Sequence, residues 1–451
     1  MVHTFALHDL KLALDVESGA LHILDDAAFC AVRLLAAGIG RQEVQAKLQA
    51  EYGKQTASQV MAEIEAAEEQ GLLFSVSRRV DLATDGAVKA LCLHLAHDCN
   101  LRCKYCFAGT GNYGGARGLM PLDVAKAAVD FLLQAAAGRK HLEIDFFGGE
   151  PLLNFPVLKE TVAYGRQKAE ARGKKLKFTV TTNAYNVPEE VKDYLNREEI
   201  SIVLSLDGRR EVHDRMRVTP AGRGSWESVL QNCRQIVAGR GGDNYYLRGT
   251  YTRHNLDFCQ DVKEMVGHGF RLLSLEPAVL SPAAEEALQE EDLPVIFAEY
   301  EKLAALLWEW EEAGQKVYFF HFELDLHQGP CAKKRLLGCG AGSSYLAVTP
   351  DGKLYPCHQF AGEADFCVGN VKEGITAPEI RRRFAAVDSA AKAECAVCFA
   401  RYFCGGGCHA AAWHQNRDLA RPYALGCKLH RKRVECGLYL QAKRMLAKTG
   451  R

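Results

Sequence analysis

Three cysteines stand close together after a short apolar segment, and they limit what this chain can fold around. Cys99, Cys103 and Cys106 have the spacing C-x3-C-x2-C, and no fourth cysteine follows nearby. Thiolates at such spacings bind soft metals and iron–sulfur clusters. A structural zinc site requires four ligands, whereas a [4Fe–4S] cluster held by three thiolates leaves one iron with a free position. We therefore expect a metal centre that carries out chemistry.

The position of these cysteines along the chain supports that expectation. Residues 91–96, LCLHLA, predict a buried strand, so the cysteines lie in the loop at its carboxyl end. The carboxyl ends of barrel strands are where β/α-barrel enzymes carry their active sites. The alternative is a zinc site that His97 or a distant ligand completes.

The composition argues against two classes of partner. The formal net charge is zero, and the basic runs at 333–335, 381–383 and 430–433 lack the interleaved aromatic residues of a nucleic-acid groove. No apolar run approaches the roughly 20 residues that a membrane helix requires, and the N-terminus lacks a signal-peptide core. We therefore expect neither nucleic acid nor a membrane as a partner.

The chain contains 17 cysteines, which in a secreted protein would indicate disulfides. Many of them form CxxC-type groups and no export signal is evident, so metal clusters in the reducing cytoplasm are the better interpretation. Four cysteines stand alone in apolar or helical stretches and are expected to be ordinary buried thiols. These are Cys30, Cys92, Cys233 and Cys259.

Residues 1–85 predict a small separate domain. Strands are expected at 3–7 and, with a turn at 17–19, within 11–24; helices are expected from the Asp25-Asp26 cap to Leu35, over 41–52 and over 57–71. This winged-helix-like unit resembles the peptide-recognition element of enzymes that modify ribosomal peptides. The resemblance implies that a leader peptide adds to the strand edge at 21–24 and packs on the helix from Ala57. The alternatives are a unit that only packs on the catalytic domain, or one that binds DNA, which its excess of acidic residues disfavours.

Residues 88–280 alternate between strand and helix patterns, which predicts an α/β fold with a partial (β/α)6 barrel. Residues 281–329 predict a bridging segment in which Trp308 and Trp310 belong to the core. Residues 330–451 are rich in cysteine and glycine and predict a cluster-binding domain that metal organises. The predicted barrel strands are 91–96, 142–147, 177–182, 200–206, 245–252 and 271–276, with helices over 122–137, 157–172 and 225–238.

The first cysteine motif resembles the signature of the radical S-adenosylmethionine (SAM) superfamily, whose free iron binds the amino and carboxylate groups of SAM. In that family Tyr105 would occupy the aromatic position near the adenine. The run FFGGEP at 146–151 resembles the GGEP motif that contacts the SAM amino group. Its Gly148 and Gly149 would permit close backbone approach, and Glu150 would accept a hydrogen bond from the ammonium.

Two later segments complete the resemblance to a SAM site. Ser205 in the run SLDG would contact the ribose or carboxylate of SAM, and Arg217 would contact the carboxylate. Residues 181–183, Thr-Thr-Asn, end the third barrel strand and would point toward the same mouth. Capping of the strand end is an equally open explanation for these three residues.

Seven cysteines near the C-terminus follow the order of the SPASM extension, an auxiliary-cluster domain. The resemblance assigns Cys339, Cys357 and Cys408 to auxiliary cluster I, and Cys395, Cys398, Cys404 and Cys427 to auxiliary cluster II. The fourth iron of cluster I would take Cys331 or remain open, and Cys367 and Cys436 are weaker candidates. His358 occupies the position that an Asp base holds in anaerobic sulfatase-maturing relatives, so that base chemistry is in doubt here.

The chain as a whole resembles the radical SAM maturases of SCIFF peptides ("six cysteines in forty-five"), through VHTF at the N-terminus, GCGAGSSYLAVTPDGKLYPCHQFAG and CGGGCHA. The resemblance implies three [4Fe–4S] clusters, SAM and an electron donor such as flavodoxin or ferredoxin. SAM would be cleaved to methionine and a 5′-deoxyadenosyl radical. The implied product is a thioether between a cysteine and an acceptor residue, threonine, of a leader-bearing, cysteine-rich precursor peptide.

Other activities remain open at this point. Within the same superfamily the chain could form carbon–carbon crosslinks or oxidise a sulfatase serine or cysteine to formylglycine. From a different class, it could be a non-enzymatic zinc-binding adaptor.

Overall fold

The computed structural model describes residues 1–76, 86–326 and 336–449. The chain begins with a three-stranded antiparallel sheet in the order β1-β2-β3, followed by three helices, as the sequence predicts. Asp25 caps the first helix by accepting a hydrogen bond from the Ala28 backbone N–H at 2.8 Å. These elements are β1 (Val2–Leu7), β2 (Leu10–Asp15), β3 (Leu21–Leu24), α1 (Asp26–Ala36), α2 (Arg41–Tyr52) and α3 (Lys54–Glu69).

Six parallel strands form the barrel sheet, in the order β4-β6-β7-β8-β10-β11. All six strand predictions are confirmed, with ends that differ by two residues or fewer. The elements of this region are β4 (Ala90–Ala96), β5 (Arg102–Cys103), α4 (Leu122–Ala135), β6 (His141–Gly148), α5 (Phe155–Glu170), β7 (Lys175–Thr182), α6 (Glu189–Arg197), β8 (Ser201–Ser205), α7 (Arg210–Met216), β9 (Arg217–Val218), α8 (Trp226–Ala238), β10 (Tyr245–Tyr251), α9 (Cys259–Gly267), β11 (Leu272–Pro277) and α10 (Leu293–Glu312).

The barrel sheet continues into the C-terminal region instead of ending at β4. The strand β13 (Tyr345–Val348) pairs in parallel with β4, and β12 (Tyr318–Phe319) pairs with β11 at the other edge. The antiparallel strands β14 (Lys353–Tyr355), β15 (Gly369–Asn370) and β16 (Gly374–Ile375) follow β13. Among the described residues this makes one sheet of eleven strands, so β4 is an interior strand and every one of its residues is buried.

The described residues after Ile375 contain five helices: α11 (Pro378–Ala385), α12 (Ala393–Ala396), α13 (Arg401–Cys404), α14 (His409–Asn416) and α15 (Ala424–Thr449). The long helix α15 packs against α10, where Arg444 forms ion pairs with Glu311 and Glu323. Trp308 and Trp310 are partly buried against the core, as expected. No helix in these described ranges is long and apolar enough to cross a membrane.

The N-terminal sheet lies between two layers. Leu12 and Leu14 belong to the core that also contains Leu438 of α15, whereas Ala13 packs with Val32 and Ile64 of the first three helices. This alternation is what a strand buried on both faces requires. The N-terminal domain is therefore packed against the C-terminal helix, a contact that the sequence pattern does not predict.

Candidate active site

The three cysteines of the first motif line a loop at the carboxyl end of β4. Cys103 lies in β5, which pairs with β9 so that Cys103 is directly opposite Arg217. The Cys106 backbone N–H donates to the Cys103 carbonyl at 3.1 Å, which closes the loop into a tight turn. All three thiols are free and partly exposed. The fold thus presents three sulfurs on one loop, with a guanidinium beside them.

The surroundings of these thiols suit a metal cluster. Burial raises the pKa of Cys99 to about 11 and that of Cys103 to about 12, and Arg217 only partly offsets the effect at Cys103. Thiolates are the ligand form, and a bound metal ion deprotonates a coordinating thiol. Leu101 N–H and the Asn183 side-chain amide already donate to the Cys99 sulfur at 3.4 and 3.5 Å. The thiols of the first cysteine motif therefore suit a positively charged metal centre.

Gly148 and Gly149 hold the end of β6 against the cysteine loop. A Cβ at Gly148 would lie 2.3 Å from the Ala96 carbonyl oxygen, and one at Gly149 would lie 2.1 Å from the Asp98 oxygen. Gly149 N–H and Glu150 N–H donate to these same two oxygens, at 2.7 and 2.8 Å. Glycine is thus required at these two positions because they lie against the backbone oxygens of Ala96 and Asp98.

Glu150 is buried and already accepts three hydrogen bonds. Its Oε1 accepts from Leu152 N–H at 3.0 Å and from the Thr182 hydroxyl at 2.8 Å, and its Oε2 accepts from Asn183 N–H at 2.8 Å. Burial raises the pKa of this carboxyl to about 7 despite these donors. Thr182 and Asn183 therefore hold Glu150, while the side chain keeps capacity for one more donor. Thr181 is partly exposed on the same strand.

Asp207 organises the other side of the cysteine loop, and the sequence did not single it out. Its Oδ2 accepts from the Tyr105 hydroxyl at 2.5 Å and from Arg217 Nε at 3.1 Å. The Arg217 guanidinium also lies 5.5 Å from the Tyr105 ring centroid. Asp207 is fully buried, and Ser205 lies partly exposed two residues earlier on β8. The signal was present in the run SLDG, where a carboxylate follows a buried strand.

The structure brings Cys339, Cys357 and Cys408 together. Burial raises the pKa of Cys357, and the neighbouring thiols of Cys408 and Cys339 raise it further. Cys408 stands at the start of α14, where its sulfur accepts from Ala411 N–H at 3.4 Å. Cys357 is buried, while the other two sulfurs belong to exposed residues.

The remaining four SPASM-type cysteines form a second set close by. Burial raises the pKa of Cys404 to about 12, and Cys427, Cys395 and Cys398 raise it further, which identifies the four thiols as neighbours. The buried ammonium of Lys392 donates to the Gly406 carbonyl at 2.8 Å and interacts electrostatically with both sets. Gly405–Gly407 have φ values of 66°, 89° and 77°. This left-handed stretch, which glycine adopts without strain, links Cys404 of one set to Cys408 of the other.

The thiols of each set lie near one another without forming a single-ion site. In the described ranges no three His, Cys, Asp or Glu side chains converge as one metal ion would require. A zinc site places each sulfur about 2.3 Å from the ion, whereas a [4Fe–4S] cluster spreads its four ligands around a larger body.

The structure describes two of the three candidates for the fourth ligand of auxiliary cluster I. The Cys367 thiol donates to the Gly369 carbonyl at 3.6 Å. Cys436 is fully buried in α15, where Lys432 and Glu301 act on its thiol. Cys331 lies outside the described residues. Of the four isolated cysteines, Cys92, Cys233 and Cys259 are buried as expected, whereas Cys30 is only partly buried.

Aromatic side chains connect the first cysteine loop with the SPASM-type cysteines. Phe107 follows Cys106 and His358 follows Cys357, and the two ring centroids lie 5.4 Å apart. Phe147 lies 4.9 Å from the same histidine ring. Burial lowers the pKa of His358 to about 4, and its Nδ1 lies 3.2 Å from the Tyr345 hydroxyl. These rings form a wall of the barrel mouth that the sequence did not predict.

A groove of about 480 Å³ lies on the N-terminal domain between β3, α3 and the end of α15. Its lining is mainly apolar and includes Ile23, Ala67, Leu73 and Met445. The strand β3 is the last strand of its sheet in the part of the chain that the structure describes, and all four of its residues line this groove. The groove coincides with the strand edge and helix at which the sequence predicts peptide binding.

Comparison with known proteins identifies two domains. A model of the radical SAM superfamily matches residues 93–258, and a model of an iron–sulfur cluster-binding domain, SPASM, matches residues 339–399. The chain is 26% identical over 299 residues to an uncharacterised protein of Methanocaldococcus jannaschii, covering 66% of this chain and 94% of that protein. It is 24% identical to the cysteine-type anaerobic sulfatase-maturating enzyme of Clostridium perfringens strain 13, covering 69% and 85%.

Solved structures share the same fold. The enzyme anSMEcpe with bound AdoMet aligns with a TM-score of 0.66 at 18% identity, covering 80% of this chain and 95% of that one. Streptococcus suis SuiB bound to the precursor peptide SuiA aligns with a TM-score of 0.54 at 13% identity, covering 94% and 98%. The predicted fold class, an α/β radical SAM fold followed by a SPASM domain, is confirmed. The chain is homologous to anaerobic sulfatase-maturating enzymes.

Proposed function

We propose that this chain is a radical SAM maturase that forms thioether crosslinks between cysteines and an acceptor residue, threonine, of a ribosomally made, cysteine-rich precursor peptide. The observation that carries the proposal is the contact between Phe107, next to Cys106, and His358, next to Cys357. A peptide segment at this barrel mouth would lie beside a SAM site and a second thiolate-rich site at once. That is the geometry that coupling a sulfur to a carbon requires.

In this proposal three [4Fe–4S] clusters and SAM are the cofactors, and a flavodoxin or ferredoxin donates electrons. The many metal-binding thiolates suit the reducing cytoplasm. The SAM cluster would be held by Cys99, Cys103 and Cys106, auxiliary cluster I by Cys339, Cys357 and Cys408, and auxiliary cluster II by Cys395, Cys398, Cys404 and Cys427.

The residues around the first cysteine loop would orient SAM. Gly148, Gly149 and Glu150 would face the amino group, for which Glu150 keeps a free acceptor position. Ser205 would contact the ribose or carboxylate. Arg217 would bind the carboxylate, and its ion pair with Asp207 at 3.1 Å fixes the direction of its guanidinium. Tyr105, held by the same aspartate, would border the adenine.

The chemistry belongs to the bound groups, and the protein supplies position. Bound SAM and the clusters would supply the radical that takes a hydrogen atom from the acceptor carbon, and would accept the electron released when the thiolate sulfur joins that carbon. The aromatic wall of Phe107, Phe147 and His358 would border the reacting residue. The fourth position of auxiliary cluster I would stay free for a peptide thiol.

The N-terminal groove supports a leader-bearing peptide as the substrate. An extended leader would add to the free edge of β3 and place apolar side chains between β3 and α3, where Ile23 and Ala67 line the groove. Backbone pairing would supply affinity, and the groove would select the side chains. This use of residues 1–85 favours peptide modification over sulfatase maturation.

Anaerobic reconstitution with iron and sulfide tests the proposal. The reduced enzyme is incubated with SAM and a leader-bearing cysteine-rich peptide, and the peptide is then alkylated and analysed by mass spectrometry. A thioether removes two hydrogen atoms and one alkylatable thiol for each crosslink. A carbon–carbon crosslink removes two hydrogen atoms but leaves every thiol alkylatable, and formylglycine yields an aldehyde. A colourless zinc protein that does not cleave SAM would identify the adaptor.

A further inference from the structure

One arginine of the barrel, Arg248, forms no hydrogen bond or ion pair with the residues that the structure describes. Along strand β10, every second residue is buried, and the residues between them lie on the other face of the strand. On that other face Arg248 is exposed. Leu247 and Tyr251 pack in the core, with Tyr251 beside Phe258 of the surrounding layer. Since side chains alternate along a strand, Arg248 points into the barrel lumen.

The strand register places Arg248 beside the SAM site. It is the parallel partner of Ser205 on β8 and of Ser274 on β11. Its charge acts on Glu276 and His321 from the β11 side. It also acts on His358, next to Cys357, across the mouth. The guanidinium therefore lies near Ser205 of the proposed SAM site, near Glu276 and His321, and near His358, which is next to Cys357.

Two other arginines of this region, Arg217 and Arg433, are paired with carboxylates. Arg217 pairs with Asp207 at 3.1 Å. Arg433, from α15, donates to the Tyr300 hydroxyl at 2.8 Å and pairs with Glu276 at 3.3 Å. Arg248, by contrast, has no hydrogen bond or ion pair with any residue in the described ranges, and Glu276 pairs instead with Arg433 and His321.

A guanidinium that faces a cavity with its donors free is suited to bind an acceptor oxygen of a ligand. A peptide offers such an oxygen at every residue, in its backbone carbonyl. We propose that Arg248 is a substrate-binding residue that donates hydrogen bonds to a backbone carbonyl of the peptide segment carrying the acceptor residue. It thereby holds that segment between the SAM site and the Cys357 site. This inference rests on the proposed function, because it takes a peptide as the substrate.

The test compares Arg248→Gln and Arg248→Lys with Arg234→Gln, which alters an exposed arginine on the outer helix α8. Each reconstituted full-length enzyme is given SAM and a precursor peptide deuterated at the acceptor residue. The readouts are iron content, SAM affinity without peptide, leader affinity, and deuterium transferred into 5′-deoxyadenosine. Arg248→Gln should keep its iron content, its SAM affinity without peptide and its leader affinity. Its deuterium transfer for each SAM cleaved should fall about tenfold, because misplacement of a substrate by about 1 Å can lower a reaction rate up to a hundredfold.

Arg248→Lys should restore part of the transfer, and Arg234→Gln should match the unaltered enzyme. Weakened SAM affinity in Arg248→Gln would instead assign the guanidinium to the SAM carboxylate and overturn the inference, as would unchanged deuterium transfer. The kind of bond formed is read separately in the unaltered enzyme by alkylation. A failure of the thioether proposal therefore remains distinguishable from a failure of this one.

Discussion

Glu17, in the turn between β2 and β3, forms an ion pair with Arg401, which stands between Cys398 and Cys404. Both side chains are largely buried, and the Tyr402 hydroxyl donates to the same carboxylate at 2.9 Å. Nearby, the His3 ring stacks on Phe399 with centroids 3.5 Å apart. The N-terminal domain thus contacts the loop that carries the proposed ligands of auxiliary cluster II.

Glu17→Ala should destabilise the folded enzyme by about 3 kcal/mol, because it leaves the Arg401 guanidinium buried without its counter-ion. Anaerobic urea denaturation of the reconstituted protein measures the change. Glu43→Ala is the matched control, since Glu43 is exposed and pairs with Lys47 on the same helix; it should change stability by less than about 0.5 kcal/mol. Equal effects of the two substitutions would contradict the prediction.

Changing Cys99, Cys103 and Cys106 together to Ala should abolish SAM cleavage while both auxiliary clusters remain. The first set lies in the loop after β4, whereas the other seven cysteines lie on elements after residue 338. Formation of 5′-deoxyadenosine by the reconstituted variant is measured by chromatography, and its iron content shows which clusters remain. Persistent 5′-deoxyadenosine would mean that the SAM cluster is held elsewhere.

Ala67→Trp should weaken leader binding at least about tenfold, because the indole fills the groove between β3 and α3. Ala62→Trp places the same side chain on the exposed face of α3 and should leave leader affinity unchanged. Fluorescence polarisation of a labelled leader measures both, and SAM cleavage without peptide should be normal in each. A leader that binds Ala67→Trp normally must occupy another surface.

Cys331→Ser should leave the iron content and the electron paramagnetic resonance spectrum of auxiliary cluster I unchanged, since Cys331 falls outside the seven-cysteine pattern. Cys357→Ser is the comparison and should lose that cluster, because Cys357 lies buried beside Cys339 and Cys408. Loss of iron in Cys331→Ser would make Cys331 the fourth ligand. Direct capture of a peptide thiol at that iron would then require ligand exchange.

Acid should destabilise the barrel through His321. Burial, reinforced by the Arg433 charge, lowers the pKa of His321 to about 3. The pKa of a histidine in the unfolded chain is about 6.5. Below that pH the unfolded chain therefore binds a proton at His321 that the folded chain does not bind. Stability is therefore lost as pH falls below about 6.5, by about 1.4 kcal/mol per pH unit for this group. Anaerobic denaturation at pH 7.5 and 5.5 measures this loss in the free energy of unfolding. The loss should be smaller in His321→Asn than in the unaltered enzyme. In His141→Asn, at the exposed start of β6, it should equal that of the unaltered enzyme.

The barrel strands were predictable because each is a short segment in which apolar residues are either continuous, as in β4, or alternate with polar ones, as in β6 and β7. The run LCLHLA predicts a buried strand, and in the structure it lies in β4 (Ala90–Ala96), in which every residue is buried. The division of the seven SPASM-type cysteines into two cluster sets came from the family resemblance, and it stays a prediction. The structure places the thiols of each set near one another.

Contacts between distant segments were not predictable from one sequence. Nothing local to Asp207 indicates that it holds both Tyr105 and Arg217, and nothing in α15 indicates that Arg433 reaches the lumen to pair with Glu276. The same holds for Arg248, which differs from other arginines only in what surrounds it. Such roles depend on tertiary packing, which local propensity and spacing do not encode.

The pairing of β13 with β4 has a consequence for recombination between relatives. Because Tyr345–Val348 is hydrogen-bonded to the strand that precedes the first cysteine loop, the SPASM region is not a detachable module. A chimera that exchanged the chain after Val348 would keep this seam intact. One that removed β13 would leave β4 with an open edge, which invites intermolecular pairing and aggregation. Crossover points that preserve this shared strand should therefore yield foldable hybrids more often than those that follow the apparent domain boundary.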